Sequence, residues 1–139
     1  MAPNKVLLTF FVILLGLIIS GCAQEALTPG EVIKKSEMLE NQTIKVWGVA
    51  DVYRLICTQK ECFLENPCCN ICSGSLVLKA MGKKIILTGK YDGKDVKCSG
   101  NECKQECYPL KAGRKYEVTG ILKKVNNQYK LYLIDFREL

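Results

Sequence analysis

The clearest alternation of apolar and polar positions along the chain runs from Arg114 to Val125. One face receives Tyr116, Val118, Gly120 and Leu122, and the other receives Lys115, Glu117, Thr119 and Lys123. Because successive side chains of a strand point to opposite sides, this spacing predicts a strand with one buried face. Asn126-Asn127 is typical of a hairpin turn, so Tyr129–Phe136 is predicted to be the partner strand, with Leu131 and Leu133 facing inward.

Three further strands are predicted earlier in the chain. Ile44–Leu55 is rich in β-branched and aromatic residues, and Ser75–Lys79 and Lys84–Thr88 are short apolar runs separated by a turn at Ala80–Lys83. Gly48 lies inside the first run, where a glycine predicts a bulge or a bend. The pattern therefore predicts five strands, with one long connection after the first and another after the third.

A short helix is predicted to precede these strands. Thr28 can cap it, Pro29 suits its first position, and Glu31 completes a capping box. Asn41 can adopt the left-handed conformation that ends a helix. We expect this helix to flank or plug the sheet.

Five strands, a glycine in the first strand and a long excursion between the third and fourth strands resemble the OB-fold. The stretches Val46–Val49 and Val118–Leu122 carry most of this resemblance. The predicted fold class is thus mainly β: a small five-stranded OB-like Greek-key barrel with a short N-terminal helix and two cysteine-rich insertions. The resemblance implies a binding surface built from the loop after strand one, the loop between strands four and five, and the face of strands two and three.

The N-terminus has the pattern of an export signal. Lys5 precedes the uncharged apolar run Val6–Ile19, and Ile19-Ser20-Gly21-Cys22 resembles the lipobox of prokaryotic lipoproteins. The resemblance implies a signal peptide over residues 1–21 and lipidation of Cys22. We then expect a tether over residues 22–27 and the disulfide-rich OB-like domain over residues 28–139. An uncleaved signal anchor is the alternative. Both interpretations predict an extracytoplasmic domain attached to a membrane in the cell envelope.

Composition narrows the possible chemistry. The chain has nine cysteines and no histidine, which excludes histidine-based metal ligation, haem ligation and acid–base catalysis. Without residues 1–21 there are 19 cations against 14 acids, a net charge of +5. This mildly basic balance suits a solvated surface as well as an anionic partner. No group of residues resembles an active site, so the predicted function is non-enzymatic binding or assembly, with no cofactor.

Eight cysteines remain once Cys22 is assigned to lipid, and an exported location favours disulfides between them. They form two clusters: Cys57, Cys62, Cys68, Cys69 and Cys72, then Cys98, Cys103 and Cys107. Because five and three are odd numbers, complete pairing requires an odd number of bridges between the clusters. Eight cysteines allow 105 pairings, so the connectivity stays open. The adjacent Cys68 and Cys69 are expected to bond to different partners.

Two other uses of these thiols are conceivable. Cys69 and Cys72 have the spacing of a zinc or iron–sulfur knuckle, and Cys103 and Cys107 could complete a four-thiolate metal site. Alternatively, Cys69 and Cys72 could form a redox-active pair, but neither has a nearby cation in the sequence to lower the pKa of its thiol. Disulfides remain the main prediction.

Nucleic acid is a further candidate ligand because OB-folds often bind single strands. Cations and aromatic rings for such an interface occur together near the C-terminus: Lys115, Lys123, Lys124, Tyr129, Lys130 and Tyr132. The simpler interpretation is that these lysines keep the strands soluble and the tyrosines help to fill the core. An exported location argues against nucleic acid. The expected partners are therefore the membrane, through the lipid anchor, and a protein or small ligand in the cell envelope.

Overall fold

The computed structural model describes residues 23–139, so the predicted signal peptide and Cys22 lie outside the described residues. Two short helices come first, α1 (Pro29–Lys34) and α2 (Ser36–Leu39). The strands that follow in this part of the chain are β1 (Thr43–Cys57), β2 (Ile71–Ala80), β3 (Lys83–Thr88), β4 (Lys90–Tyr91), β5 (Lys94–Asp95), β6 (Lys97–Asn101), β7 (Gln105–Tyr108), β8 (Lys115–Val125) and β9 (Gln128–Glu138). The prediction of a mainly β fold is confirmed.

Hydrogen bonding joins five of these strands into a ring. Around the ring the order is β1, β8, β9, β3 and β2, and β2 pairs back with β1. Every neighbouring pair is antiparallel except β3 and β9, which run parallel over Ile86–Thr88 and Lys130–Tyr132. These five strands are the ones that the apolar pattern predicts.

The interior of the ring contains the predicted apolar faces. Tyr116, Val118 and Leu122 of β8 and Leu131 and Leu133 of β9 are all buried. In β2 and β3 the inward positions are leucine or isoleucine, and the register places them side by side as the pairs Leu76–Leu87 and Leu78–Ile85. The alternation in β8 and β9 is therefore confirmed, because the side chains that it assigns to one face form the core.

The predicted helix is present but divided at Lys35. Thr28 and Glu31 form the expected capping box: the Thr28 hydroxyl accepts from the Glu31 N–H at 3.2 Å, and the Glu31 carboxylate accepts from the Thr28 N–H at 2.7 Å. The carboxylate of Glu31 also accepts from the Thr28 hydroxyl at 2.9 Å, and the bonds that it accepts from the N–H and the hydroxyl of Thr28 lower its pKa. Val32 is fully buried against the ring, and Asn41, with φ 62°, adopts the predicted left-handed conformation before β1.

The irregularity in β1 lies further along than its glycine predicts. The register shifts between Tyr53 and Ile56, where Arg54 has a positive φ of 52°, and not at Gly48. Gly48 instead allows β1 to approach the backbone of β2 closely, because a Cβ there would lie 2.8 Å from the carbonyl oxygen of Lys79. It stands where β1 passes from its pairing with β8 to its pairing with β2, so the glycine allows one strand to serve both neighbours.

The connection after β3 is more ordered than the sequence predicts. The strands β4 and β5 form a small hairpin, and β6 and β7 extend the main sheet beside β2. Near the start of the described residues, Leu27 of the predicted tether pairs with Val46 of β1 through two backbone hydrogen bonds. No helix within residues 23–139 is long and apolar enough to cross a membrane.

Candidate functional site

The structure pairs all eight cysteines of the described chain in disulfides: Cys57–Cys72, Cys62–Cys69, Cys68–Cys103 and Cys98–Cys107. Within residues 23–139, Cys68–Cys103 alone joins the two clusters, which satisfies the predicted odd number of cross-links. The adjacent Cys68 and Cys69 have different partners, as expected. The prediction of disulfide bonds is therefore confirmed.

This pairing is different from both alternatives, the four-thiolate metal site and the redox-active pair of Cys69 and Cys72. The four cysteines of the metal hypothesis belong to four different disulfides, so the four-thiolate site is not formed. Cys69 and Cys72 are not bonded to each other, which corrects the proposed redox pair. Across residues 23–139 no cluster of three or more cysteine or acidic side chains is arranged to hold a metal ion.

Disulfides enclose the segment between β1 and β2, which we call the first cysteine loop (residues 58–70). Its base is closed by Cys57–Cys72, whose two residues stand directly opposite each other in the β1–β2 register. Cys62–Cys69 closes the loop internally, and Cys68–Cys103 fixes it to the turn between β6 and β7. A loop without secondary structure is thereby held in place by covalent bonds.

Asn70 organises the interior of the first cysteine loop. Its side chain is polar but buried, with only 7% of the residue exposed. The Oδ1 atom of Asn70 accepts a hydrogen bond from the Lys60 N–H at 2.7 Å and another from the Thr58 hydroxyl at 3.1 Å. Its amide group donates to the Lys60 carbonyl at 3.2 Å and to Oε2 of Glu102 at 3.0 Å. One amide side chain thus connects the start of the loop with the β6–β7 turn.

Replacing Asn70 with alanine should lower the free energy of unfolding by about 1–3 kcal/mol, because buried partners lose their hydrogen bonds. Urea unfolding of the oxidised protein would measure this change. Asn66→Ala is the matched control, since Asn66 is exposed in the same loop and its side chain makes no hydrogen bond to residues 23–139. Equal stability of the two variants would contradict this role of Asn70.

The outer side of the first cysteine loop is apolar and exposed to solvent. Phe63 is 81% exposed and Leu64 is 100% exposed. At the base of the loop, Ile56 and Ile71 are also exposed, whereas the neighbouring Cys72 is fully buried. Strand alternation explains this difference, because adjacent residues of β1 and β2 face opposite sides. Phe63 and Leu64 together define what we call the apolar tip.

The residues predicted for nucleic-acid binding do not form one surface. The first group is Lys115, whose Nζ lies 4.5 Å from the centre of the Trp47 ring. Lys115 is eight residues before Lys123 in β8, so the two lysines are far apart along the strand. Lys123 lies over the Tyr132 ring at 4.9 Å and is paired with Lys130 in the β8–β9 register. The third group is Lys124 over the Tyr129 ring, at 5.5 Å. Because Lys123 and Lys124 are consecutive in a strand, these last two groups face opposite sides of the sheet.

Tyr129 borders a groove of about 250 Å³ that the sequence analysis does not predict. This side groove opens where β3 and the β8–β9 turn diverge, just before their parallel pairing begins at Ile86 and Lys130. Val32 of α1 and Ile86 form apolar parts of its lining, and Tyr53, Lys84, Asn127 and Tyr129 contribute polar groups. These residues come from four separate segments of the chain. The spacing of these residues in the sequence therefore does not indicate that they lie together.

The fold and these two surfaces were compared with known proteins. No protein-family model matches the chain, and neither a curated protein nor a solved structure matches it.

Proposed function

We propose that this chain is a lipid-anchored, extracytoplasmic binding module with an OB-like domain, non-enzymatic, which holds a protein partner through the apolar tip of the first cysteine loop. The observation that carries the proposal is the exposure of Phe63 and Leu64 on a loop fixed by disulfides. Large apolar side chains at the end of a loop contribute nothing to the core of the domain. They are suited to filling a cavity in another molecule.

Covalent fixing of the loop favours binding. A flexible loop loses conformational freedom when it docks, and this loss weakens the complex. Here Cys62–Cys69, Cys68–Cys103 and the hydrogen bonds of Asn70 restrict the loop before any partner arrives. The apolar tip is therefore presented in a defined arrangement.

The charges around the tip indicate the chemistry of the partner. Glu61 and Glu65 are exposed on either side of Phe63 and Leu64, and Glu102 lies against the loop through its bond from Asn70. Lys60 is the cation within residues 58–70. The domain as a whole carries more cations than acids, so this acidic surrounding is local. A complementary partner would offer an apolar cavity with a basic rim.

The proposed location is supported by the disulfides and by the N-terminal sequence. Four disulfides within the described chain are compatible with an oxidising compartment outside the cytoplasm. The lipobox-like sequence ending at Cys22 supplies the anchor in this proposal. Fatty-acid labelling of the wild-type chain and its loss in Cys22→Ser would test the anchor, and labelling retained by Cys22→Ser would contradict it.

Site-specific photo-crosslinking tests the partner surface. A benzophenone amino acid at position 64, in the full chain within its own cell envelope, should give a discrete cross-linked product, whereas the same group at the exposed Asp92 should not. We expect the charge-reversing double variant Glu61→Lys, Glu65→Lys to reduce the yield at position 64 several-fold. An absent product, or products at both positions alike, would contradict the proposal.

A further inference from the structure

We propose that the side groove is a second binding site, independent of the apolar tip, and that its ligand is a hydroxylated ring with one anionic group: an acidic sugar or a sugar phosphate. The groove lies between α1, β3 and the β8–β9 turn, away from the cysteine loops. Three properties of its lining lead to this ligand: its charge, its covered aromatic rings and its free amide groups.

The charge of the groove is positive and is not neutralised within the protein. Lys84 lines the groove, and Lys124 lies over the ring of Tyr129 at its edge. No carboxylate within residues 23–139 lies within 4.0 Å of either amino group; the lysines that form ion pairs there are Lys45, Lys79, Lys97 and Lys104. The neighbouring Lys79, by contrast, is paired with Asp51, and its hydrogen bond lowers the pKa of that carboxyl. The groove therefore favours an anion.

The aromatic rings of the groove are already covered. Lys84 lies 4.1 Å from the centre of the Tyr53 ring, and Arg54 lies 5.2 Å from the same centre. Lys124 covers the Tyr129 ring in the same way. Binding of single-stranded nucleic acid depends on free ring faces on which successive bases can stack. These rings are better suited to holding the lysine charges in position beside the groove.

The remaining polar groups suit hydroxyls. Asn127 and Gln128 line the groove at the β8–β9 turn, and their side-chain amides form no hydrogen bond with residues 23–139. An amide offers both a donor and an acceptor, as a sugar hydroxyl requires. Ile33, which is 50% exposed, and the edge of Ile86 provide apolar surface for the carbon face of a ring. A volume of about 250 Å³ is below the usual range of ligand pockets, which favours a single ring.

Nuclear magnetic resonance titration of the full chain in detergent micelles tests this inference. Glucuronate and glucose 6-phosphate are the probes, and neutral glucose is the reference ligand. We expect both acidic probes to shift the amide signals of Lys84, Asn127 and Gln128, with glucose at least tenfold weaker. Lys84→Gln should weaken binding of glucuronate about tenfold. Lys90→Gln, an exposed lysine of β4 outside the groove, should leave it unchanged.

Longer ligands distinguish the source of the sugar. Tighter binding of hexagalacturonate than of glucuronate would indicate a unit of an acidic polysaccharide, and equal binding would indicate a free acidic sugar. The inference is overturned if glucose binds as well as glucuronate, if no groove signal shifts, or if a thymidine hexanucleotide binds the groove more tightly than the acidic sugars. None of these outcomes bears on cross-linking from position 64, so the two proposals fail separately.

Discussion

Replacing Cys68 and Cys103 together with serine is expected to lower the free energy of unfolding by about 4 kcal/mol. This disulfide closes the longest loop of the described chain, with a sequence separation of 35, and it connects the two cysteine clusters. Its loss returns the most conformational freedom to the unfolded chain. Urea unfolding of the oxidised double variant, followed by circular dichroism, would measure the change.

The double variant Cys62→Ser, Cys69→Ser is the matched control, because these cysteines, like Cys68 and Cys103, lie outside the core. Its disulfide has a sequence separation of 7, so the same chain-entropy argument gives a smaller loss of about 2–3 kcal/mol. Using pairs of serines avoids a free thiol that could exchange with the remaining bridges. A control variant less stable than the Cys68, Cys103 variant would contradict the entropic explanation.

Leu131→Ala is expected to lower the free energy of unfolding by about 2–5 kcal/mol. Leu131 is fully buried, and β9 places it opposite Leu122 of β8 and beside Leu87 of β3. Removing its side chain leaves a cavity at the point where the ring of strands closes. Thermal or urea unfolding with the disulfides intact would measure the effect.

Ile134→Ala is the control for this prediction. Ile134 lies three residues further along β9, at the bulge where the β8–β9 register skips a residue, and is 49% exposed, so its truncation should cost less, about 1 kcal/mol. Comparable losses for the two variants would mean that β9 does not separate an inner face from an outer one.

The ring strands could be predicted because their side chains alternate between core and solvent. Tyr116, Val118 and Leu122 recur at every second position, and the turn at Asn126–Asn127 has the positive φ angles that its residues favour. The predicted helix is present as two segments, because its bonding pattern is interrupted at Lys35. Local sequence preferences were sufficient for these elements.

The small strands of the second insertion could not be predicted in this way. The sequences of β6 and β7, which include Gly100 and Glu106, have no apolar alternation, and their pairing depends on β2 and on Cys98–Cys107. The disulfide connectivity is likewise a property of the folded chain. Parity predicted an odd number of cross-links between the clusters, but the choice of Cys103 as the partner of Cys68 required the structure.

Of the candidate sites, the sequence predicted the first cysteine loop and missed the side groove. The loop is one continuous segment, so its cysteines reveal it. The groove combines Tyr53, Lys84 and Asn127, which are separated by dozens of residues and meet only when β9 joins β3. The predicted cluster of lysines and tyrosines is close in sequence but not in space. Side chains alternate along a strand, so neighbours such as Lys123 and Lys124 lie on opposite sides of the sheet.

The position of β9 in the ring also determines when this protein can fold. β9 is the strand between β8 and β3, so the ring cannot close until residues 128–138 have been synthesised. Until then the inward side chains of β3 and β8, such as Leu87 and Leu122, lack the strand that lies between them. The pairing of β9 with β3 also joins residues more than 40 positions apart, so closing the ring is a non-local and therefore slow step of folding.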